Sequence, residues 1–421
     1  MLEASGVRTY RIAPNRRADL DVVLQAAAPD VVVFDRFMAE EAFSFRVRAV
    51  NPDAIRILDM QDLHSLRYTR EKVVKQALAT KDDSGCVVQS AKSVTRSPVE
   101  AALASVPAAS DDRLCRELAS VHRCDLTLVC SPVEMSLMRD RFQIPSHKLV
   151  LASLFCKPPV DSPLVNRPGF EGRAGFMTIG TFLHPPNVDS VRWLASEVWP
   201  LIRARLPNAE MHVFGAYPTE AMRKLHSHAD GFLVQGFARS VPRAMEAARV
   251  MLAPLRFGAG IKGKIVDAWA NGLPVVTTPV GAEGMVPGVD WLWRPQHDAD
   301  DGEWGGRWGS VDAEGVASDA LLLHEDPEAW EKARARGVEL VATLFPAEPR
   351  LAILREQIER LFRQDDKSAK ACLAVQRNQD FVGAMLWHHS VRSTEYFSRW
   401  IELKETGVDS SRVKSDTKAP A

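Results

Sequence analysis

Short β-branched runs that alternate with longer stretches of helical period predict an α/β protein built on parallel sheets. Two further observations bound it. The chain has 421 residues, which at roughly 100–200 residues per domain allows two or three domains with substantial cores. Its 53 Lys plus Arg nearly cancel 54 Asp plus Glu, for a net charge of −1, so no overall field draws it to nucleic acid or to an acidic membrane. Arg8, Arg11, Arg16 and Arg17 form a short basic cluster that reads as a solvated face, and no nucleic-acid partner is expected.

In chain order, candidate strands fall at residues 30–34, 54–58, 126–130, 176–179, 210–214, 232–234, 250–253 and 274–277. Candidate helices fall at 131–141, 188–205, 242–249, 264–271 and 326–344. Segment 82–111 is rich in Ser, Ala, Pro and charge without a sustained period and reads as a flexible insertion. The stretch 295–315, with its excess of Asp and Gly, reads the same way. Prolines concentrate in 157–172, which marks a linker between two αβ regions. The expected organisation is a first domain over 1–165, a second over 170–345, helices over 346–407 and a disordered tail over 408–421. In the helical part Phe381, Met385, Trp387, Val391 and Trp400 alternate with charge and read as a docking face.

Several classes drop out. The longest apolar runs, such as 31–34, fall far short of the roughly 18 residues that span a bilayer. The opening Met1-Leu-Glu-Ala-Ser-Gly-Val-Arg lacks a basic segment followed by an apolar one, so no signal peptide is expected. The six cysteines, Cys86, Cys115, Cys124, Cys130, Cys156 and Cys372, show neither a CxxC pair nor zinc-ligand spacing and read as reduced thiols of a cytoplasmic protein.

The sharpest local signal runs from Val250 to Val276. A buried strand enters a glycine-rich turn that opens a helix, and Gly272 and Pro274 stop that helix before the next strand. Glycines at 258, 260 and 263 let backbone N–H groups approach a ligand closely, and the helix adds its positive N-terminal end. Lys262 and Lys264 bring full charges to the same place, so the turn is an anion site. Gly258-Ala-Gly-Ile-Lys-Gly263 also satisfies the dinucleotide pattern GxGxxG, with Glu283 near the offset of its ribose-binding acid. Against that, Pro254, Leu255, Arg256 and Phe257 separate strand from glycine, and Glu283 falls in a loop after the next strand rather than at its end.

These residues carry a resemblance. Thr178-Ile-Gly-Thr-Phe-Leu-His-Pro-Pro-Asn-Val, Leu206-Pro-Asn-Ala-Glu-Met-His-Val-Phe-Gly, Val234-Gln-Gly-Phe-Ala, Ala253-Pro-Leu-Arg-Phe-Gly-Ala-Gly-Ile-Lys-Gly-Lys-Ile-Val-Asp-Ala and Gly272-Leu-Pro-Val-Val-Thr-Thr-Pro-Val-Gly-Ala-Glu-Gly occur in the order of the donor-binding half of family 4 (group 1) glycosyltransferases. That family implies a GT-B fold, two Rossmann-like domains with parallel sheets facing across a cleft. Carried over position by position, the resemblance puts Gly180 and Thr181 beside a diphosphate and Gly236 with Phe237 beside the base. The turn containing Arg256, Gly258, Ala259, Gly260, Ile261, Lys262 and Lys264 would hold the donor, and Asp267 would bond the ribose hydroxyls as the second acid of the family's Glu-x7-Glu motif. The first acid of that motif falls at Ala259, so a carboxylate contact to the sugar is absent and backbone amides take its place. Stabilising a diphosphate leaving group in this way requires no metal, and the acidic run Asp298-Ala-Asp-Asp reads as solvated loop.

In the first half, Leu58-Asp-Met-Gln-Asp-Leu-His-Ser-Leu-Arg places Asp62, His64 and Arg67 just past the carboxyl end of a strand, where parallel sheets bind ligands. His64 resembles the family's cleft histidine, which approaches the transferred sugar, and an imidazole there can handle a proton from an acceptor hydroxyl. A complete acceptor domain of the family begins with a strand, a glycine loop and a helix before the segment equivalent to Pro29-Asp-Val-Val-Val-Phe-Asp; here 28 residues precede Pro29 and none reads that way. The first domain is therefore expected to be incomplete, with fewer strands in its sheet than in the second.

The expected activity is transfer of a sugar from a nucleotide-diphosphate sugar to an acceptor hydroxyl, with retention and without metal. The nucleotide sugar is a co-substrate and no other cofactor is expected. The acceptor is an unidentified carbohydrate, lipid or small molecule, with peripheral contact to a membrane as one way of reaching it. A catalytically silent nucleotide-sugar-binding or scaffold protein is the alternative, and an NAD-dependent Rossmann enzyme ranks below both.

Overall fold

The computed structural model describes residues 5–12, 17–82, 96–153, 167–286, 304–362, 372–388, 399–401 and 404. They form two wholly parallel sheets. In the first, β1 (Val31–Asp35), β2 (Ile55–Asp59), β3 (Leu126–Val129) and β4 (Leu149–Leu151) lie side by side in chain order. The second contains β5 (Ala174–Ile179), β6 (Met211–Phe214), β7 (Phe232–Gly236), β8 (Ala248–Ala253), β9 (Val275–Thr277) and β10 (Gly306–Arg307), in the order β10-β9-β8-β5-β6-β7. Among the described residues the first sheet thus has four strands against six, as expected. β1 is an edge strand, and Val33 on it is 56% exposed.

Each strand read from the sequence forms, its ends shifted by two residues at most. β4 and β10 were not expected, because strands of three and two residues are too short to display an alternating pattern. The helical period over 188–205 is one continuous helix that starts earlier, at Pro185, and contains a π-helical turn at Leu194–Val198. The helix expected over 242–249 ends sooner, at Ala247, because Ala248 and Arg249 already pair in β8.

Two segments read as flexible are folded where they are described. Within 82–111, residues 83–95 lie outside the described set, but Pro98–Leu103 is a helix. It starts on a capping box in which Ser97 and Glu100 satisfy each other's backbone N–H groups. Val99, Ala102 and Leu103 are buried, and Val99 and Leu103 belong to the core of the second domain. Its six residues hold too few turns to show a period, so packing against the other domain decides its structure. Within 295–315, residues 295–303 lie outside the described set, whereas Trp304 and Trp308 are buried, β10 pairs with β9, and Asp312 caps helix Ala313–Glu325. Of the expected linker, residues 157–166 lie outside the described set; from Arg167 the chain is docked, with Arg173 buried and donating to the carbonyls of Met245, Ala248 and Asn271.

Past Leu344 the chain returns to the first sheet. Leu361 and Leu373 bury with Ile55, Ile57, Leu126 and Val150. Arg377 lies on Asp125 at 2.8 and 2.7 Å and donates at 2.7 Å to the carbonyls of both Pro52 and Ala54, while Lys148 meets Asp380 at 2.6 Å. Of the expected docking residues Trp387 does dock: it is buried, edge-on to Phe45 and beneath the guanidinium groups of Arg48 and Arg56. Phe381 and Met385 point outward at 82% and 61% exposure, Trp400 is also exposed, and Val391 lies outside the described residues.

Asp125 is 3% exposed, so removing Arg377 strips a charged partner from a buried carboxylate. Arg377→Ala is expected to destabilise the protein by about 2–4 kcal/mol in urea unfolding.

Candidate functional site

Strand order reverses between β5 and β8, which opens a crevice at their carboxyl ends where open α/β sheets bind ligands. The loops at that edge are packed backbone to backbone. A Cβ on Gly180 would lie 2.5 Å from the Asn187 side-chain amide, and one on Gly215 would lie 2.3 Å from the Gly180 carbonyl. Gly215 N–H in turn donates to Gly236 at 2.7 Å. The expected residues Gly180, Thr181, Gly236 and Phe237 therefore sit along one edge formed by β5, β6 and β7, with the Phe237 ring 74% exposed.

The glycine turn follows β8, next to β5. Lys262 caps the N-terminus of helix Gly263–Ala270; its buried ammonium donates to the Gly260 carbonyl at 2.7 Å. Burial lowers its pKa, opposed by the charge of Glu283. Lys264 donates at 2.7 Å to the side-chain oxygen of Asn187, which ties the turn to the Gly180 loop. Burial, reinforced by Lys262, brings the Lys264 pKa down to about 8. Both lysines lie at the turn where the sequence places them, each held by a hydrogen bond to the protein. Asp267 stands exposed on the same helix, its carboxyl raised by partial burial. Arg256 departs from expectation: it is buried, forms a bidentate pair with Asp189 at 2.9 and 2.6 Å and lies over Trp193, within the second domain.

The first domain closes over this edge. Ala259 packs, partly buried, against the hydrophobic core of the first domain, and Ile261 meets the segment that carries Ser131 and Pro132 through Gly284. His64 sits at the start of helix His64–Asp82, its Nε2 3.2 Å from Asp62 and its ring edge-on to Phe37. Arg67 joins Asp62 at 2.5 Å and His184 of the second domain at 3.1 Å. Burial, then Arg67, pulls the His184 pKa down to about 4, so its Nε2 keeps a lone pair to accept the Arg67 hydrogen bond. Burial alone would raise Asp62, yet His64 and Arg67 hold it below its ordinary value.

Two further side chains reach across. Arg70 donates to both oxygens of Glu283 at 2.6 and 2.7 Å and to the Gly258 carbonyl at 2.9 Å, in a pair only 3% and 4% exposed. Burial would raise the Glu283 carboxyl, but Arg70 and Lys262 hold it below its ordinary value. Both oxygens of Glu283 are occupied, so it is not free to bond a ribose, which removes the acid that the NAD reading requires. Glu134 accepts at one oxygen from Leu63 N–H at 3.0 Å and Gly260 N–H at 2.8 Å. Sequence reasoning missed Arg70 and Glu134 altogether, since neither lies in a motif; His184 and Asn187 stood inside quoted motifs without a role. The acidic run at 298–301 lies outside the described residues.

Residues 173–302 match the family model described as "Glycosyl transferases group 1". An uncharacterised 44.6 kDa protein from the cps region of Klebsiella pneumoniae is 26% identical over 113 residues, 25% of this chain and 29% of that protein, so the match spans under a third of the relative. Among solved structures, S. aureus TarM with fondaparinux, α-GlcNAc-glycerol and UDP aligns with a TM-score of 0.56 at 10% identity, over 81% of this chain and 58% of that one. Anabaena HepE with UDP and glucose aligns with a TM-score of 0.55 at 12% identity, over 86% and 88%. At such identity the likeness establishes the fold, which is GT-B.

Breaking the Arg70–Glu283 pair leaves a buried charge alone. Arg70→Met and Glu283→Gln are each expected to cost about 3–5 kcal/mol, and their combination less than the sum, as read from a double-mutant cycle of denaturant unfolding.

Proposed function

We propose that the protein is a glycosyltransferase that moves a sugar from a nucleotide-diphosphate sugar to an acceptor hydroxyl. The observation that carries this reading is the glycine turn at the switch point: two lysines held by the protein, and the N-terminus of helix Gly263–Ala270, beside an edge closed over by the His64 cluster. The departing diphosphate develops charge, and fixed N–H groups, a helix end and ammonium groups in a partly dry site stabilise it without reorganising. Structures sharing the fold hold UDP, in HepE together with glucose.

Lys264 and Lys262 would meet the phosphates, Asp267 would accept from the ribose hydroxyls, and Phe237 would lie against the base. His64, oriented by Asp62, would face the transferred sugar with its other ring nitrogen available to an acceptor hydroxyl. Because amides and lysines can carry the leaving-group charge, the reading includes transfer without a divalent metal; the resemblance adds retention of anomeric configuration. The acceptor would be a carbohydrate, lipid or small-molecule hydroxyl, reached in the cytoplasm.

A second reading, a nucleotide-sugar-binding protein without turnover, is favoured by Ala259, which packs into the first domain where the family motif has an acid. Calorimetric titration with UDP- and GDP-sugars alongside a hydrolysis assay separates the two. Turnover that survives EDTA, with a product anomer matching the donor by NMR, supports the full proposal; binding without turnover supports the second reading; no binding of either sugar class sinks both.

Lys264→Ala is expected to weaken UDP or GDP binding by about 10–100-fold. In the parent protein Lys264 loses its charge as pH rises through about 8, so nucleotide affinity should fall above pH 8, and fall less steeply in Lys264→Ala. Asp267→Ala should raise KM by about tenfold with a smaller effect on kcat.

A further inference from the structure

Glu134 belongs to helix Pro132–Ser136 of the first domain and is 1% exposed. Its Oε1 receives two backbone N–H groups, one from each domain: Leu63 at 3.0 Å and Gly260 at 2.8 Å. Its Oε2 has no partner among the described residues. The receiving turn has no slack. Gly260 has φ +66°, and a Cβ there would lie 2.9 Å from the Asp62 Cβ and 3.5 Å from the Cys130 sulfur, so the first domain touches the turn's backbone directly. One carboxylate oxygen therefore links the loop that leads into His64 to the middle of the glycine turn.

We infer that Glu134 is a positioning residue of the donor site, a latch that gives the glycine turn its phosphate-binding shape only when the two domains are closed. The inference rests on the proposed role of that turn. Acting through Gly260, Glu134 would keep this amide and the neighbouring Lys262 in register with the His64 loop, so that closure assembles both sides of the cleft together.

The latch also senses protons. Facing Glu134 are Asp62 and Cys130 from the first domain and Lys262 from the second, with the Arg70–Glu283 pair beyond Lys262. Burial, reinforced by Asp62, raises its pKa from an ordinary 4.5 to about 8. In an open cleft the carboxyl would regain water and its ordinary value. Between those two values the closed state holds a proton that the open state has lost, so closure is favoured at low pH and weakens as pH rises toward 8.

The test is amide hydrogen exchange of peptides covering 258–264 in the full-length protein, corrected for the intrinsic pH dependence of exchange, in wild type, Glu134→Gln and Glu134→Leu. With the closed- and open-state values of about 8 and 4.5, wild-type protection should fall roughly 50-fold between pH 6 and pH 8. Glu134→Gln keeps an acceptor oxygen but cannot ionise, so its protection should stay flat and high; Glu134→Leu should lose protection at every pH. Should Glu134→Leu fail to fold, the wild-type and Glu134→Gln profiles decide alone. A flat wild-type profile, or a Glu134→Gln profile that falls in parallel with it, overturns the latch. UDP and GDP titrated into the same proteins test the donor reading separately: if neither binds, that reading fails, while the exchange data still decide the latch.

Discussion

The glycine turn after β8 is gripped through its backbone by buried polar side chains of the other domain. Arg70 holds the Gly258 carbonyl and Glu134 the Gly260 amide, and around them the interface is nearly dry. Charges taken out of water are tolerated where they are paired and hydrogen-bonded, and here the pairing alternates in sign. Arg70 answers Glu283, Lys262 lies in the field of Glu283, and Arg67 answers Asp62. None of these partners can be withdrawn without exposing another, so turn, cleft and domain closure stand or fall together.

This arrangement explains why the turn is glycine-rich. Gly260 both adopts a left-handed conformation and lets the first domain come within contact distance. It also gives a role to a helix that looks dispensable in the sequence. Pro98–Leu103 wedges between the domains, placing Val99 and Leu103 in the second core and Ala102 against Val74 and Phe257. Phe257, one residue before the turn, is thereby anchored to the first domain's helices.

The second domain is enclosed in the chain by two segments that pack on each other. The C-terminal helices return to cover the first sheet through Leu361, Leu373, Arg377 and Trp387. A motion of the second domain must therefore be accommodated both in the crossing near residue 167 and in the return near residue 345.

Strand positions, the glycine turn at the switch point and the GT-B architecture were legible because they are local or carried by ordered motifs: a buried parallel strand is a short β-branched run, and a glycine turn that opens a helix shows as glycines before a helix start. The residues that misled did so for non-local reasons. Arg256 sits inside a binding motif, yet Asp189 and Trp193 claim it; Glu283 sits near a dinucleotide offset, yet Arg70 claims both its oxygens. Glu134 and Arg70 carry no signal, since their partners lie 126 and 213 residues away. By itself the amino-acid order determined which segments could form strands and where backbone N–H groups could converge. Tertiary structure decided which charges are free for a ligand and which are consumed, because pairing in a dry interface depends on distances between domains that no local pattern encodes.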